Sequence, residues 1–217
     1  WLDDDLACRS VDDRVALLRD KLSGDISKMV LLSEQVKLLE DKDGDGRIDS
    51  STVFADGFDQ IEEGIGAGVL VLGDKVYYAC VPNLWALEDL DGDGSAEKKE
   101  VISSGYGVHI AFLGHDLHGL TKGPDGRLYF TIGDRGLHVE SKEGVMLAYP
   151  DEGVVLRCLP DGSHLEVFAR GLRNPQELAF DAYGNLFTGD NNSDGGDRAR
   201  WVHLVQGGDS GWRIGFQ

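Results

Sequence analysis

The chain has 217 residues, 30 of them glycine, and a formal net charge of −18. That length suits one domain. The acidic balance excludes a nucleic-acid surface, which needs a basic stripe, and attraction to an anionic membrane. No apolar run approaches the ~20 residues of a membrane-spanning helix. Three scattered cysteines, Cys8, Cys80 and Cys158, fit neither a disulfide framework nor a CxxC metal site.

Residues 1–35 read as an N-terminal helical segment. Ser10-Val-Asp-Asp13 fits a capping box with Asp in place of Glu. Val15, Leu18 and Leu22 then give one apolar face, so the spacing predicts a single amphipathic helix over 11–22, ended near Ser23-Gly24, that either packs against the main body or forms the tail of an upstream element.

From residue 36 to 217 two units alternate. One is a strand, an acidic turn and a second strand ending in glycine: VKLLEDKDGDGRIDSSTVFADGF (36–58), LWALEDLDGDGSAEKKEVISSGY (84–106) and, with a shorter turn, VVLRCLPDGSHLEVFARGL (154–172). The first two copies are 48 residues apart, Asp41 matching Asp89. The other unit is a hairpin: GVLVLGDKVYYAC (68–80), LTKGPDGRLYFTIGD (120–134) and LAFDAYGNLFTGD (178–190). Four antiparallel strands recurring every 48 to 66 residues, with a longer connection around 135–150, predict an all-β fold. That fold is a β-propeller of four-stranded antiparallel blades, about four of them. A closed six-bladed propeller needs on the order of 250–300 residues, so the chain reads as a portion of a larger one.

The acidic turns share the pattern DxDGDGxx[DE]. Oxygen ligands at positions 1, 3 and 5 and glycine at 6 form the first half of an EF-hand calcium loop. This makes Asp41, Asp43, Asp45 and Asp49, with the Arg47 carbonyl, one candidate site. Asp89, Asp91, Asp93 and Glu97, with the Ser95 carbonyl, make the other, and Glu100 falls at the position of a bidentate carboxylate. No EF-hand helices flank them, so structural calcium staples are expected rather than sensors.

In an up-and-down blade the first and third turns share a rim, so acidic and glycine turns belong to one face. The blade connections belong to the other, bringing His115, His118 and Arg173 together with the acidic loop Asp190, Asn191, Asn192, Ser193, Asp194 and Asp197. There, His115 or His118 is a candidate general base, Asp116 a candidate orienting group, and Arg173 a candidate for stabilising negative charge. The acidic loop is a candidate hard-cation site. A base, an arginine and a cation suit alcohol oxidation with a quinone cofactor, and equally a lactonase or other hydrolase.

The segments GHDLHGLTKGPDGRLYFTIGDRG, GLRNPQELAFDAYGNLFTGDNNSDGGDRARW and VQGGDSGWR resemble the soluble quinoprotein glucose and sorbosone dehydrogenase propellers. They are closer still to planctomycete-type membrane-bound dehydrogenases, which join such a propeller to a haem-binding CxxCH domain. The resemblance implies a six-bladed propeller that binds pyrroloquinoline quinone (PQQ) and calcium. On matching motifs it implies that His115 is the base, that Arg173 and Asn174 contact the cofactor, and that the carbonyls of Asn192 and Ser193 hold its calcium. His118 stands where the glucose enzymes have a small residue, and those enzymes lack the acidic turns. The function implied is a periplasmic or otherwise extracytoplasmic dehydrogenase of a sugar or alcohol, with a cytochrome c-type domain outside this chain as electron acceptor. A catalytically silent, calcium-stabilised propeller that binds carbohydrate or protein is the alternative of another class.

Overall fold

A computed structural model describes residues 1–191, 196 and 198–215. The N-terminal segment holds two α-helices, α1 (Leu2–Leu6) and α2 (Val11–Leu22), and a 3-10 helix over Ser23–Val30. The Ser10 hydroxyl accepts from the Asp13 amide, which caps α2 as its sequence requires. The helical path runs on past Ser23 as 3-10 turns and is preceded by α1, so the segment is more extensively helical than one amphipathic stretch. Buried Asp5 fixes it to the sheets by accepting from the amides of Ile110 (2.7 Å) and Ala111 (2.8 Å).

The rest is all β, in antiparallel sheets ordered as propeller blades. Strands β1 (Glu34–Glu40) and β2 (Ser50–Phe58) pair across the first acidic turn. Next, β3 (Gly66–Leu72), β4 (Lys75–Cys80), β5 (Asn83–Glu88) and β6 (Lys98–Ser104) form a four-stranded meander with the second acidic turn between β5 and β6. The next blade begins with β7 (Leu117–Lys122) and β8 (Leu128–Ile132). It is interrupted by a hairpin of β9 (Leu137–Glu140) and β10 (Met146–Tyr149), then completed by β11 (Gly153–Cys158) and β12 (Glu166–Leu172). Finally β13 (Pro175–Phe180), β14 (Leu186–Asp190) and β15 (Arg200–Leu204) make a three-stranded sheet. From there the chain turns back, and β16 (Gly208–Asp209) adds in parallel to β12 of the preceding blade.

The central strands are buried on both faces, and alternation sends neighbouring residues into different blade interfaces. Along β8, Leu128, Phe130 and Ile132 join Tyr77, Leu84, Tyr106 and Leu156 in the core between the second and third sheets. Tyr129 points the other way, into the core with Val155, Leu172, Leu178 and Leu186. A third core, with Val36, Phe58, Tyr78 and Leu87, joins β1–β2 to the second sheet. The connection around 135–150 is therefore an inserted hairpin, and the blades carry two, four, four and three antiparallel strands instead of four throughout. No helix among the described residues is long and apolar enough to cross a membrane.

Candidate active site

The loop before β7 and the turn after β8 meet at the rim away from the acidic turns. His115 Nδ1 lies 2.6 Å from Asp134 Oδ1, with the His115 side chain 12% and that of Asp134 1% exposed. An ionised carboxylate only accepts, so Nδ1 carries the proton and the Nε2 lone pair is directed away from the pair. Gly133 permits this approach, because a Cβ there would sit 2.7 Å from the Cβ of His115. Phe112 stacks on the imidazole at 6.1 Å between ring centroids.

His118 belongs to β7 itself, not to the loop before it, and its Nε2 lies 3.4 Å from the Gly114 carbonyl. Asn174 Nδ2 and Gln176 Nε2 donate to that same carbonyl, each at 3.2 Å. His118 therefore helps fix the loop's backbone, while His115 alone has a carboxylate behind it. Asp116 orients neither histidine: it is buried, pairs with Arg135 and accepts from the Gly114 amide at 2.9 Å. Adjacent side chains diverge, so the partner of His115 comes from the next turn.

Arg173 and Asn174 immediately precede β13. The Arg173 guanidinium lies over the Trp212 ring, 5.7 Å from its centroid. Asn174 is buried, and its Oδ1 has no hydrogen-bond partner. Asp190 anchors the segment before β13. Its Oδ1 accepts from the amides of Arg173 (3.1 Å) and Asn174 (2.9 Å), and Oδ2 accepts from Arg200 Nη2 at 2.9 Å. Asn192, Ser193, Asp194 and Asp197 lie outside the described residues. A cavity of about 360 Å³ is lined by Asn174, Gln176, Asp190, Asn191, Arg200 and Trp201. A second, of about 370 Å³, is lined by Arg173, Arg198, Arg200 and Trp212 among others.

Asp134 and Trp212 were not candidates from the sequence. A signal for Asp134 was present: the hairpin units 120–134 and 178–190 both end in Gly-Asp. Both aspartates are buried and both tie a neighbouring blade connection to the rim.

The acidic turns form near-identical structures. Asp41 accepts from the amides of Gly44 and Gly46 at 2.7 and 2.8 Å, and Asp89 from Gly92 and Gly94 at 2.7 and 2.9 Å. These amides, chiefly those of Gly46 and Gly94, hold both carboxyls below the usual carboxylate range. Ligand atoms of Asp89, Asp91, Asp93 and Glu97 converge within 4.8 Å of one another, as do those of Asp41, Asp43 and Asp45. Asp49 is not in its group; it accepts from the Lys42 amide at 2.7 Å. Glu100 is likewise not in its group. It lies within β6 opposite Ala86, because the loop exits into an extended strand and position 12 is carried away from the oxygens. The backbone amides of Arg47 and Ser95 donate to Asp45 and Asp93, at 2.8 Å in both turns.

Residues 18–206 match the family described as a domain of unknown function, DUF7133. The chain belongs to this family. No curated protein gives a significant match. Among solved structures, this member of the family resembles a protein described as an oxidoreductase (glucose dehydrogenase) from Thermus thermophilus. The TM-score is 0.56 at 22% identity, over 82% of this chain and 58% of that one. It also resembles a glucose dehydrogenase (TM-score 0.60, 16% identity, 82% and 57% covered). A third is the PQQ-bound form of an aldose sugar dehydrogenase from Streptomyces coelicolor (0.57, 20%, 82% and 56%). These likenesses establish the propeller fold, and the chain spans under three-fifths of the length of each of these structures.

Proposed function

We propose that this chain is the propeller portion of an extracytoplasmic, quinoprotein-type sugar or alcohol dehydrogenase. The observation that carries the reading is the buried His115–Asp134 pair, which leaves Nε2 free as a base on the rim that also presents Arg173. A fold shared with a PQQ-bound aldose sugar dehydrogenase supports it.

The residues present fit the cofactor. Asn174 Oδ1 is a buried acceptor without a donor, and the pyrrole N–H of PQQ is such a donor. The cavity beside it, about 360 Å³, falls within the roughly 300–1,000 Å³ of small-molecule sites. Arg173 and Asn174 would hold the group, and Asn192 and Ser193 are proposed to supply carbonyls to its calcium. When bound, the quinone supplies a two-electron acceptor for hydride. His115 Nε2 takes the hydroxyl proton as the substrate carbon gives up that hydride, so the alcohol leaves as a carbonyl compound. Asp134 stabilises the imidazolium that forms, and Arg173 offsets negative charge developing opposite it. A cytochrome c-type domain outside this chain would serve as the electron acceptor.

We further propose that the acidic turns hold calcium as staples, through Asp41, Asp43 and Asp45 and through Asp89, Asp91, Asp93 and Glu97. Several carboxylates in one tight turn repel unless a cation lies among them.

The test is reconstitution of the full-length protein with PQQ and calcium, followed by dye reduction with a panel of aldoses and alcohols. Turnover that His115→Gln abolishes, with cofactor affinity retained, supports the reading. Absence of both cofactor binding and turnover overturns it and leaves the silent, ligand-binding propeller.

A further inference from the structure

We propose that Trp212 is a positioning residue for His115, acting through Asp134, and that it joins the base and the arginine of the site into one unit. Its indole Nε1–H donates to Asp134 Oδ2 at 3.0 Å, while Asp134 Oδ1 meets His115 Nδ1 at 2.6 Å. Each carboxylate oxygen thus has its own side-chain partner, and the plane of the carboxylate is fixed from both ends. The face of the same indole lies beneath the Arg173 guanidinium, 5.7 Å from the ring centroid, within reach of a cation–π contact. One side chain therefore touches both the carboxylate behind the base and the cation beside it.

The backbone is arranged to deliver this side chain. After β15 the chain leaves its own sheet, and Gly208 and Asp209 pair in parallel with Ala169 and Arg170 of β12. The amides of Ser210 and Trp212 continue the ladder, donating to the carbonyls of Arg170 and Gly171 at 2.9 Å each. Gly171 has φ +75°, and a Cβ there would collide with Asp209 Oδ1 and the Ser210 and Gly211 amides, so the close approach requires glycine. On both sides of Trp212 the strap is clamped by ions. Arg213 reaches Glu152 at 2.8 Å and Asp209 at 2.7 Å, and Arg170 reaches Glu152 at 3.2 Å and Asp209 at 3.0 Å. Glu152 is buried, so its two arginines hold a charge that cannot turn to water. A strap held this firmly positions the indole N–H as a fixed donor. A fixed donor on Oδ2 keeps Oδ1 aimed at Nδ1 and keeps the imidazole in the Nδ1–H tautomer. His115 presents Nε2 as a base only in that tautomer.

The inference rests on the dehydrogenase reading for its catalytic meaning, but its test needs neither cofactor nor substrate. In protein labelled with 15N-histidine, long-range 1H–15N spectra read the tautomer of His115, assigned by loss of its signals in His115→Gln. The wild type is expected in the Nδ1–H form. Trp212→Phe keeps an aromatic ring at this position and removes the N–H donor, so it is expected to shift His115 to a mixture of tautomers and to speed exchange of the Nδ1–H proton about tenfold or more. The reciprocal experiment covers a variant that fails to fold: in wild-type background, Asp134→Asn and His115→Gln should each move the Trp212 indole N–H resonance. A folded Trp212→Phe with an unchanged His115 tautomer, or an indole resonance indifferent to both reciprocal substitutions, overturns the proposal. In the reconstituted enzyme Trp212→Phe should lower kcat about tenfold with KM near that of the wild type; an unchanged kcat in active protein also overturns it. Failure of the dehydrogenase reading would appear instead as absent turnover with the tautomer coupling intact.

Discussion

In the turn at 89–97 every hydrogen-bonded carboxylate finds its amide within seven residues, as Glu97 does with Leu90 and Asp89 with Gly94. At the opposite rim His115 finds Asp134 across 19 residues and Asn174 finds Gly114 across 60, while Trp212 reaches back to Asp134 across 78. Local contacts survive as long as the turn itself does. The site exists only while several sheets are held in register, so its geometry depends on the cores between blades. The two turns correspondingly repeat the same amide-to-carboxylate bonds, whereas the site occurs once among the described residues.

Breaking the long-range rim should have the largest effect. Asp134→Asn is expected to cut turnover of the reconstituted protein by about 10²–10⁴-fold, because the amide permits the wrong tautomer of His115, with folding unaffected by circular dichroism. Phe130→Ala, deep in the core shared by the second and third sheets, should cost about 3–5 kcal/mol in denaturant unfolding and loosen the site with it.

Smaller effects sharpen the comparison at the acidic turns. Chelation should lower Tm, and Asp89→Ala should lower it by a few degrees more than Asp41→Ala does. The second turn touches the neighbouring sheet: the Ala96 amide donates to the Phe54 carbonyl at 2.7 Å, and Gly94 packs against Leu38. Equal shifts would mean that both turns act alone. The two carboxyls, held below their usual range by backbone amides, stabilise the fold above the ordinary carboxylate pKa of about 3.9, and that contribution is lost as pH falls through their lower folded values. Acid titration of thermal stability should therefore show a step below about pH 4 that is reduced in the two alanine variants. The smallest effect is expected for His118→Ala, within about threefold of wild-type kcat. It removes one of three donors to the Gly114 carbonyl and leaves the dyad intact.

The cysteines complete the contrast between local and distant effects. Cys80 and Cys158 are buried in different blade cores, and burial pushes both thiols up to about 12, so neither offers a reactive thiolate at neutral pH.

The sequence by itself determined what depends on short spacing. The period of alternating hairpins and acidic turns specified the antiparallel blades, since side-chain alternation and turn chemistry act within a few residues. Ser10 set the start of α2, and DxDGDG set the two carboxylate clusters. His115 and Arg173 were legible as chemistry-bearing residues on one rim because up-and-down topology assigns turns to rims. Glu100 is carried along β6 opposite Ala86, so the oxygens of the second turn converge without it. Only the tertiary structure decided partners: that Asp134 and not Asp116 stands behind His115, that Asp190 anchors the Arg173–Asn174 backbone, and that the strap at 208–213 brings Trp212 to Asp134. Those choices follow from how blades pack and where the chain crosses between them, which alternation along a single strand does not encode.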